Sequence, residues 1–445
     1  MKKSILSFLV FWSLLLPACA KPMEPVIIPT GGGDTPSTGS YAKELLSLPA
    51  TTRNHYQIYQ VNPKLYGNSG AFGKIQARLD DIKALDTEVF YLMPIYAEGK
   101  KNAIGSPYCI SNFKAVNSQY GTLEELRALV KAAHAKGMKV MFDWVANHTA
   151  WDNSWTTEHP EWYEHKADGS IAWPTRDGEW KDVAQLDYSK KELWAAMEDA
   201  LEYWVKELDI DGYRCDYAHG VRDDFWKEAI GRLKELKPGF LMLAESDFER
   251  MFDDGFDIIF DRTMKRQAMN LFGGGALNSF CNWYKGDLDK TPAPKTKLFF
   301  ITNHDDATSS TPAQQFKSLE GGLAAYVLMA ALNGSSMIYG NQEAGNNKTI
   351  NFFTTQTFDW NARPEFTKKY QDALQALSRL NRTGAAKLYE SGRVLFVYYE
   401  KGGLVAVNVS GSEVNADFPQ PVSGKNGIPS KQKFSAYQFQ IWETK

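Results

Sequence analysis

The sequence predicts an α/β protein built as a closed (β/α)8 barrel with a small domain inserted after its third strand and an antiparallel β domain at its C-terminal end. Three observations carry that expectation. Eight short apolar or β-branched runs, at 55–61, 88–93, 139–142, 210–213, 240–243, 257–260, 297–301 and 336–339, follow one another along the chain. Helical patterns lie between most of them, at 74–85, 122–136, 190–208, 223–236 and 313–332. Four of the runs end in acidic or imidazole side chains, and polar groups at the carboxyl ends of successive parallel strands converge on one crevice.

Taken from the N-terminal end, Lys2 and Lys3 precede an apolar run over 5–16 that is too short to span a bilayer as a mature helix. Residues 1–19 therefore read as a targeting segment, with two competing cleavages. Leu16-Pro17-Ala18-Cys19 resembles a bacterial lipobox in which Cys19 becomes the lipidated first residue, although Pro17 is not the usual small residue. Ala18-Cys19-Ala20 also fits an A-x-A site that would remove Cys19. The lipoprotein reading is favoured because a cysteine otherwise has little reason to sit there. Residues 20–40, rich in Pro, Gly, Ser and Thr, read as a flexible tether. An exported protein held at a membrane through Cys19 is the expectation.

Residues 41–380 are assigned to the barrel. Within it, Thr122 with Glu125 has the capping-box spacing of a helix start, and Gly137 stands where a C-terminal glycine stop belongs. The stretch 149–188 is too long for an ordinary loop and reads as an inserted domain. It holds Trp151, Trp155, Trp162, Trp173 and Trp180, which either form the core of a small domain or, in one or two cases, line the crevice. Residues 381–445 change to alternating β-type runs, at 393–400, 404–409 and 431–442, with a hairpin turn at Lys401-Gly402-Gly403.

Composition narrows the function classes. A net charge of −3 without a Lys/Arg cluster argues against nucleic acid as a partner. Cys109, Cys215 and Cys281 have no metal-ligand spacing and imply no disulfide framework. Cys215 lies between Arg214 and Asp216 in a strand, so it points to the opposite face and packs. Nothing resembles a glycine-rich dinucleotide loop.

Asp216, Glu245 and Asp305 supply three carboxylates at the fourth, fifth and seventh strands, accompanied by His148, Arg214 and His304. Cleaving an acetal between sugars needs an acid to protonate the leaving oxygen and a carboxylate to attack or stabilise the anomeric carbon. A lone Asp at a strand end is an ordinary cap or solvated acid, but six matching strand-end groups are not.

The segments Asp143 to His148 (DWVANH), Gly212 to Asp216 (GYRCD), Leu243 to Asp247 (LAESD) and Asn303 to Asp305 (NHD) resemble the four sequence signatures of the α-amylase family of glycoside hydrolases, whose barrel is of the TIM type. The resemblance implies Asp216 as nucleophile, Glu245 as general acid/base and Asp305 as transition-state stabiliser. It further implies that Arg214 holds the nucleophile ionised and oriented, that His148 and His304 bind sugar hydroxyls, and that Tyr108 stacks on the cleaved sugar. An α-glucan is the implied partner, and no cofactor is needed for the chemistry. Two departures stand out. Where the family often has a calcium-ligating aspartate this chain has Gln185, a weaker ligand for a hard cation, although Asn147 still matches a calcium ligand. Where many members carry a lysine–histidine pair after the nucleophile, this chain has His219 and Gly220. Cleavage of α-1,4-linked glucans is expected. Cyclodextrin or pullulan cleavage, α-glucosidase action and transglycosylation remain alternatives within the family, and an inert glucan-binding barrel is the alternative outside catalysis.

Overall fold

The structure is a computed structural model that describes residues 40–443, so the targeting segment, Cys19 and the tether lie outside the described residues. Eight parallel strands close into a barrel: β1 (Gln57–Val61), β2 (Val89–Leu92), β3 (Lys139–Val145), β4 (Gly212–Asp216), β5 (Leu241–Ala244), β6 (Ile258–Phe260), β7 (Thr296–Phe300) and β8 (Ser335–Tyr339). Each pairs with the next, and β8 returns to β1 with Met337 opposite Ile58. The strands are buried on both faces, which is why they read as continuous apolar runs.

Strand alternation then decides what reaches the axis. Val89, Met141, Leu243 and Leu298 fill the barrel interior, while Phe90, Val140 and Tyr213 face the surrounding helices. Two residues further along, the same interior face presents Tyr91, Asp143, Glu245 and Phe300. On β4 it carries Gly212, Arg214 and Asp216, with Arg214 in register with Asp143 and Leu243. Cys215 is accordingly outside the barrel and fully buried. Gly212 permits the tight β4–β5 approach, because a Cβ there would lie 2.4 Å from the Leu241 carbonyl oxygen.

The helix Leu123–Ala135 has the capping box at Thr122 and Glu125, and Gly137 leaves it at φ +72°. Two other helical patterns break. The 74–85 stretch forms Ala71–Gln76 and Leu79–Lys83, separated where Arg78 turns its guanidinium onto the Trp360 ring at 3.8 Å and toward Glu343. The 313–332 stretch forms Pro312–Gln315 and Leu319–Ala330, with Lys317 at φ +74° between them and Ser318 capping the second. After β6, Arg262–Phe272 and Leu277–Leu288 complete the helical layer on that side.

Between β3 and β4, His148–Ala150 pairs antiparallel with Val183–Gln185 and roots the inserted stretch beside the strand ends. Past the barrel, a five-stranded antiparallel sheet runs in the order Lys43–Leu48, Ala386–Ser391, Val394–Tyr399, Gly403–Asn408, Phe439–Glu443. The first strand of the segment assigned to the barrel thus belongs to this sheet instead. The 431–442 run also divides: Lys431–Phe434 pairs with Val414–Asp417, and Tyr437 at φ +54° turns the chain before Phe439–Glu443.

Candidate active site

Arg214 stands at the centre of the strand ends with none of its side chain exposed. Its Nη1 donates to Asp143 Oδ1 at 2.7 Å and to Asp216 Oδ1 at 3.0 Å, and its Nη2 lies 3.0 Å from Glu245 Oε2. One planar cation therefore links carboxylates delivered by β3, β4 and β5, a geometry that the arginine fork provides and lysine does not. Asp143, fully buried, also accepts from the Tyr91 hydroxyl at 2.5 Å and the Tyr108 hydroxyl at 3.0 Å.

The Glu245 carboxylate is held by two hydrogen bonds and by its ion pair with Arg214. Oε2 accepts from the Tyr217 backbone N–H at 2.9 Å, and Oε1 accepts from Arg262 Nη2 at 2.7 Å. Tyr217 follows Asp216 in a left-handed conformation, φ +43°, that ends β4 sharply. Burial alone would raise the Glu245 carboxyl, but Arg214, Arg262 and the Tyr217 N–H pull it down to about 2. Asp216 moves the other way: burial and the neighbouring Glu245 charge push it well above the usual carboxylate range, against the pull of Arg214. Burial and Glu245 push Asp305 up to about 7, although half of its side chain is exposed and water tempers the effect. A proton shared among these groups is thus disfavoured on Glu245.

His304 sits between them. Gln60 Nε2 meets its Nδ1 at 2.9 Å, and since an amide nitrogen only donates, Nδ1 accepts and the ring proton is on Nε2. That nitrogen faces the Tyr108 hydroxyl at 2.8 Å and Asp305 Oδ1 at 3.3 Å. Burial lowers both His304 and His148 to about 4, so both rings are neutral at pH 7. Tyr108 stacks on His304 with centroids 5.3 Å apart and is only 7% exposed, so the aromatic expected under the sugar is also a structural member of the Asp143 network.

The five tryptophans separate by surroundings. Trp155 packs on Phe113 and Trp162, Trp162 stacks on His159, Trp173 lies under Lys166, and Trp151 donates to the Lys181 carbonyl. Trp180, half-buried, meets the rings of His148 and Tyr217 edge-on at 5.8 and 5.0 Å. His219 packs against Tyr217 and Phe248, and Gly220 is required because a Cβ there would meet the Tyr217 ring at 2.2 Å.

At the calcium position suggested by Asn147, the Gln185 amide nitrogen donates to the Asn147 and Leu186 carbonyl oxygens, both at 3.0 Å, and lies 3.3 Å from Asn147 Oδ1. Arg176 faces the His219 carbonyl at 3.4 Å. The oxygens that could ligate a cation here each accept from an N–H donor. Among the described residues no group of three or more His, Cys, Asp or Glu could hold a metal ion.

Several members of the site carry no sequence signal of their own. Tyr91 and Gln60 are interior-facing strand residues, and period-two alternation from Val89 and Ile58 locates them once the barrel is assumed. Arg262 is the first residue of the helix after β6 and lies in none of the four signature segments.

A family model for the alpha-amylase catalytic domain matches residues 51–231. The alpha-amylase MalA of Haloarcula japonica is 26% identical over 71% of this chain and 49% of its own length. An alpha-1,4-glucan:maltose-1-phosphate maltosyltransferase of Rhodospirillum rubrum is 33% identical over 40% of this chain and 29% of its own. The chain thus spans half or less of the length of these curated relatives. Among solved structures, an alpha-amylase from Lactobacillus plantarum superposes with a TM-score of 0.78 and 27% identity, covering 88% of this chain and 99% of that one.

Proposed function

Because this chain belongs to the alpha-amylase family, we propose that it is a retaining glycoside hydrolase cleaving α-1,4-glucosidic bonds in starch-type glucans or malto-oligosaccharides. The observation that carries the reading is the single buried guanidinium of Arg214 joining Asp216 and Glu245 at the ends of adjacent strands. Glu245 gives its proton to the glycosidic oxygen as Asp216 attacks the anomeric carbon, so the leaving sugar departs with an intact hydroxyl and a glycosyl–Asp216 ester forms. Glu245, now a carboxylate, takes a proton from water, which displaces Asp216. Asp305 and the neutral His304 face the sugar ring, and His148 beside Trp180 extends the contact surface. No cofactor takes part in this chemistry.

Transfer of a maltosyl unit to an acceptor other than water is a second reading, supported by likeness to the Rhodospirillum maltosyltransferase. Export and anchoring through a lipidated Cys19 complete the proposal, resting on the targeting segment and tether in the sequence. Reducing-sugar release from soluble starch, pullulan and cyclodextrins, with and without maltose 1-phosphate, distinguishes hydrolysis from transfer. Asp216→Asn is expected to abolish turnover with the fold intact, and the first product is expected as the α-anomer. Near wild-type activity in Asp216→Asn, or a β-anomer product, overturns the assignment.

A further inference from the structure

A group that serves as acid must present one oxygen, with its proton, to the substrate. Glu245 does not do so here. Oε2 accepts from Tyr217 N–H at 2.9 Å and sits 3.0 Å from Arg214, and Oε1 faces Arg262 Nη2 at 2.7 Å. All of these neighbours are donors, so the arrangement fits the carboxylate and opposes the acid. Withdrawal of one donor lowers the cost of placing a proton there and frees an oxygen to deliver it.

The three donors differ in freedom. Tyr217 N–H is backbone at the end of β4. Arg214 is wholly buried and fixed by Asp143 and Asp216. Arg262 is a long side chain on the first turn of its helix, 37% exposed, and its second nitrogen is already engaged by Asp247 Oδ1 at 3.0 Å. Asp247 is itself 34% exposed and lies two residues past Glu245, so the guanidinium can leave Oε1 while keeping a counter-charge.

We infer that Arg262 is a displaceable positioning residue: it clamps Glu245 in the empty site, is moved onto Asp247 when an acceptor-side sugar enters, and returns when the leaving sugar departs. This rests on the reading of Glu245 as acid/base. The cycle matches the two roles that reading requires. With Arg262 displaced, Glu245 can carry the proton for bond cleavage. With Arg262 back, the carboxylate form that takes a proton from water is favoured. The other charged or titratable groups facing Glu245 are Arg214, His304, His219, Asp216 and Asp305; Asp305 is more exposed but is itself a carboxyl group, and none of the donors among them is as exposed as Arg262.

The test is the pH dependence of kcat/KM on a maltoside, whose upper limb reports deprotonation of the acid in the free enzyme. Arg262→Ala is expected to move that limb up by about one pH unit or more, because a cation in contact is lost. Arg262→Lys, retaining charge but not the fork, is expected to move it less. Asp247→Asn is expected to move it down, because the clamp then acts on Glu245 alone. Thermal midpoints accompany each profile, and if Arg262→Ala fails to fold the Lys and Asn variants decide. An upper limb within about 0.2 unit of wild type in a folded Arg262→Ala, or movement of Asp247→Asn in the same direction as Arg262→Ala, overturns the inference. Glu245→Gln separates this from failure of the underlying reading: an inactive Glu245→Gln with unmoved Arg262 profiles defeats the clamp, whereas an active Glu245→Gln defeats the acid/base assignment.

Discussion

Replacing Asp211 with Asn removes a carboxylate that ties the lower ends of β3 and β4 together, directly before the strand that delivers Arg214 and Asp216. Its Oδ2 accepts from Val140 N–H at 2.7 Å and meets His134 Nε2 at 2.8 Å, while Oδ1 lies 2.9 Å from Lys237 Nζ. Burial alone would raise this acid, but His134, the Val140 N–H and Lys237 carry it from 3.8 down to about 2, and only 15% of the side chain is exposed. A depression of this size corresponds to about 2 kcal/mol of folding free energy, each tenfold change in proton affinity being worth ~1.4 kcal/mol. Because the folded-state value is the lower one, this contribution is fully present above the unfolded value and disappears as pH falls through the folded value. Asp211→Asn is therefore expected to lose about 2 kcal/mol at pH 7 and about half of that at pH 3. Urea unfolding of both proteins at the two pH values, with equal slopes, measures it. Activity per folded molecule stays unchanged, since Asp211 lies at the opposite end of β4 from Asp216. A loss under about 0.5 kcal/mol at pH 7, or a difference that does not shrink in acid, refutes the reasoning.

Trp180→Ala is expected to reduce kcat/KM on long glucans about fivefold more than on a short chromogenic maltoside, the scale of one lost stacking contact, and equal losses would make Trp180 a packing residue only. Cell fractionation of Cys19→Ala should find the enzyme in the soluble fraction with unaltered activity; a wild-type mature chain beginning at Lys21 would contradict the lipid anchor. Differential scanning calorimetry with a chelator or with millimolar calcium is expected to leave the unfolding midpoint in place, because the Gln185 amide already occupies the Asn147 and Leu186 oxygens. A calcium-dependent rise of several degrees would show that the amide yields to the cation.

The barrel and the centre of its site were legible because both follow from short-range rules. Buried parallel strands read as apolar runs, and a strand's period of two carries Gly212, Arg214 and Asp216 to one face as a unit. What escaped depends on partners remote in sequence. Lys43–Leu48 has an irregular burial pattern, and its pairing partner lies at Ala386–Ser391. The helical periodicity of 74–85 continues through Arg78, yet the element divides there, where that guanidinium reaches Trp360 and Glu343. Tryptophan density marked the inserted stretch, but only the three-dimensional path shows which indole meets His148. Arg262 was invisible because a charged first residue of a helix is ordinary, and its meaning comes from the distance to Glu245.

The sheet beyond the barrel has a further consequence for how this protein can be divided. Its two outer strands, Lys43–Leu48 and Phe439–Glu443, come from opposite extremes of the described chain, with the hairpin-linked strands between them. A fragment cut at residue 381 would carry Ala386–Ser391 with a bare row of backbone donors and acceptors, a template for adhesion between molecules. During synthesis, the pairing of Lys43 with Glu390 must wait until most of the chain has emerged, so the two ends are joined late. Cut-and-paste engineering of the C-terminal module therefore has to carry the first strand along, by circular permutation or by supplying it as a separate peptide.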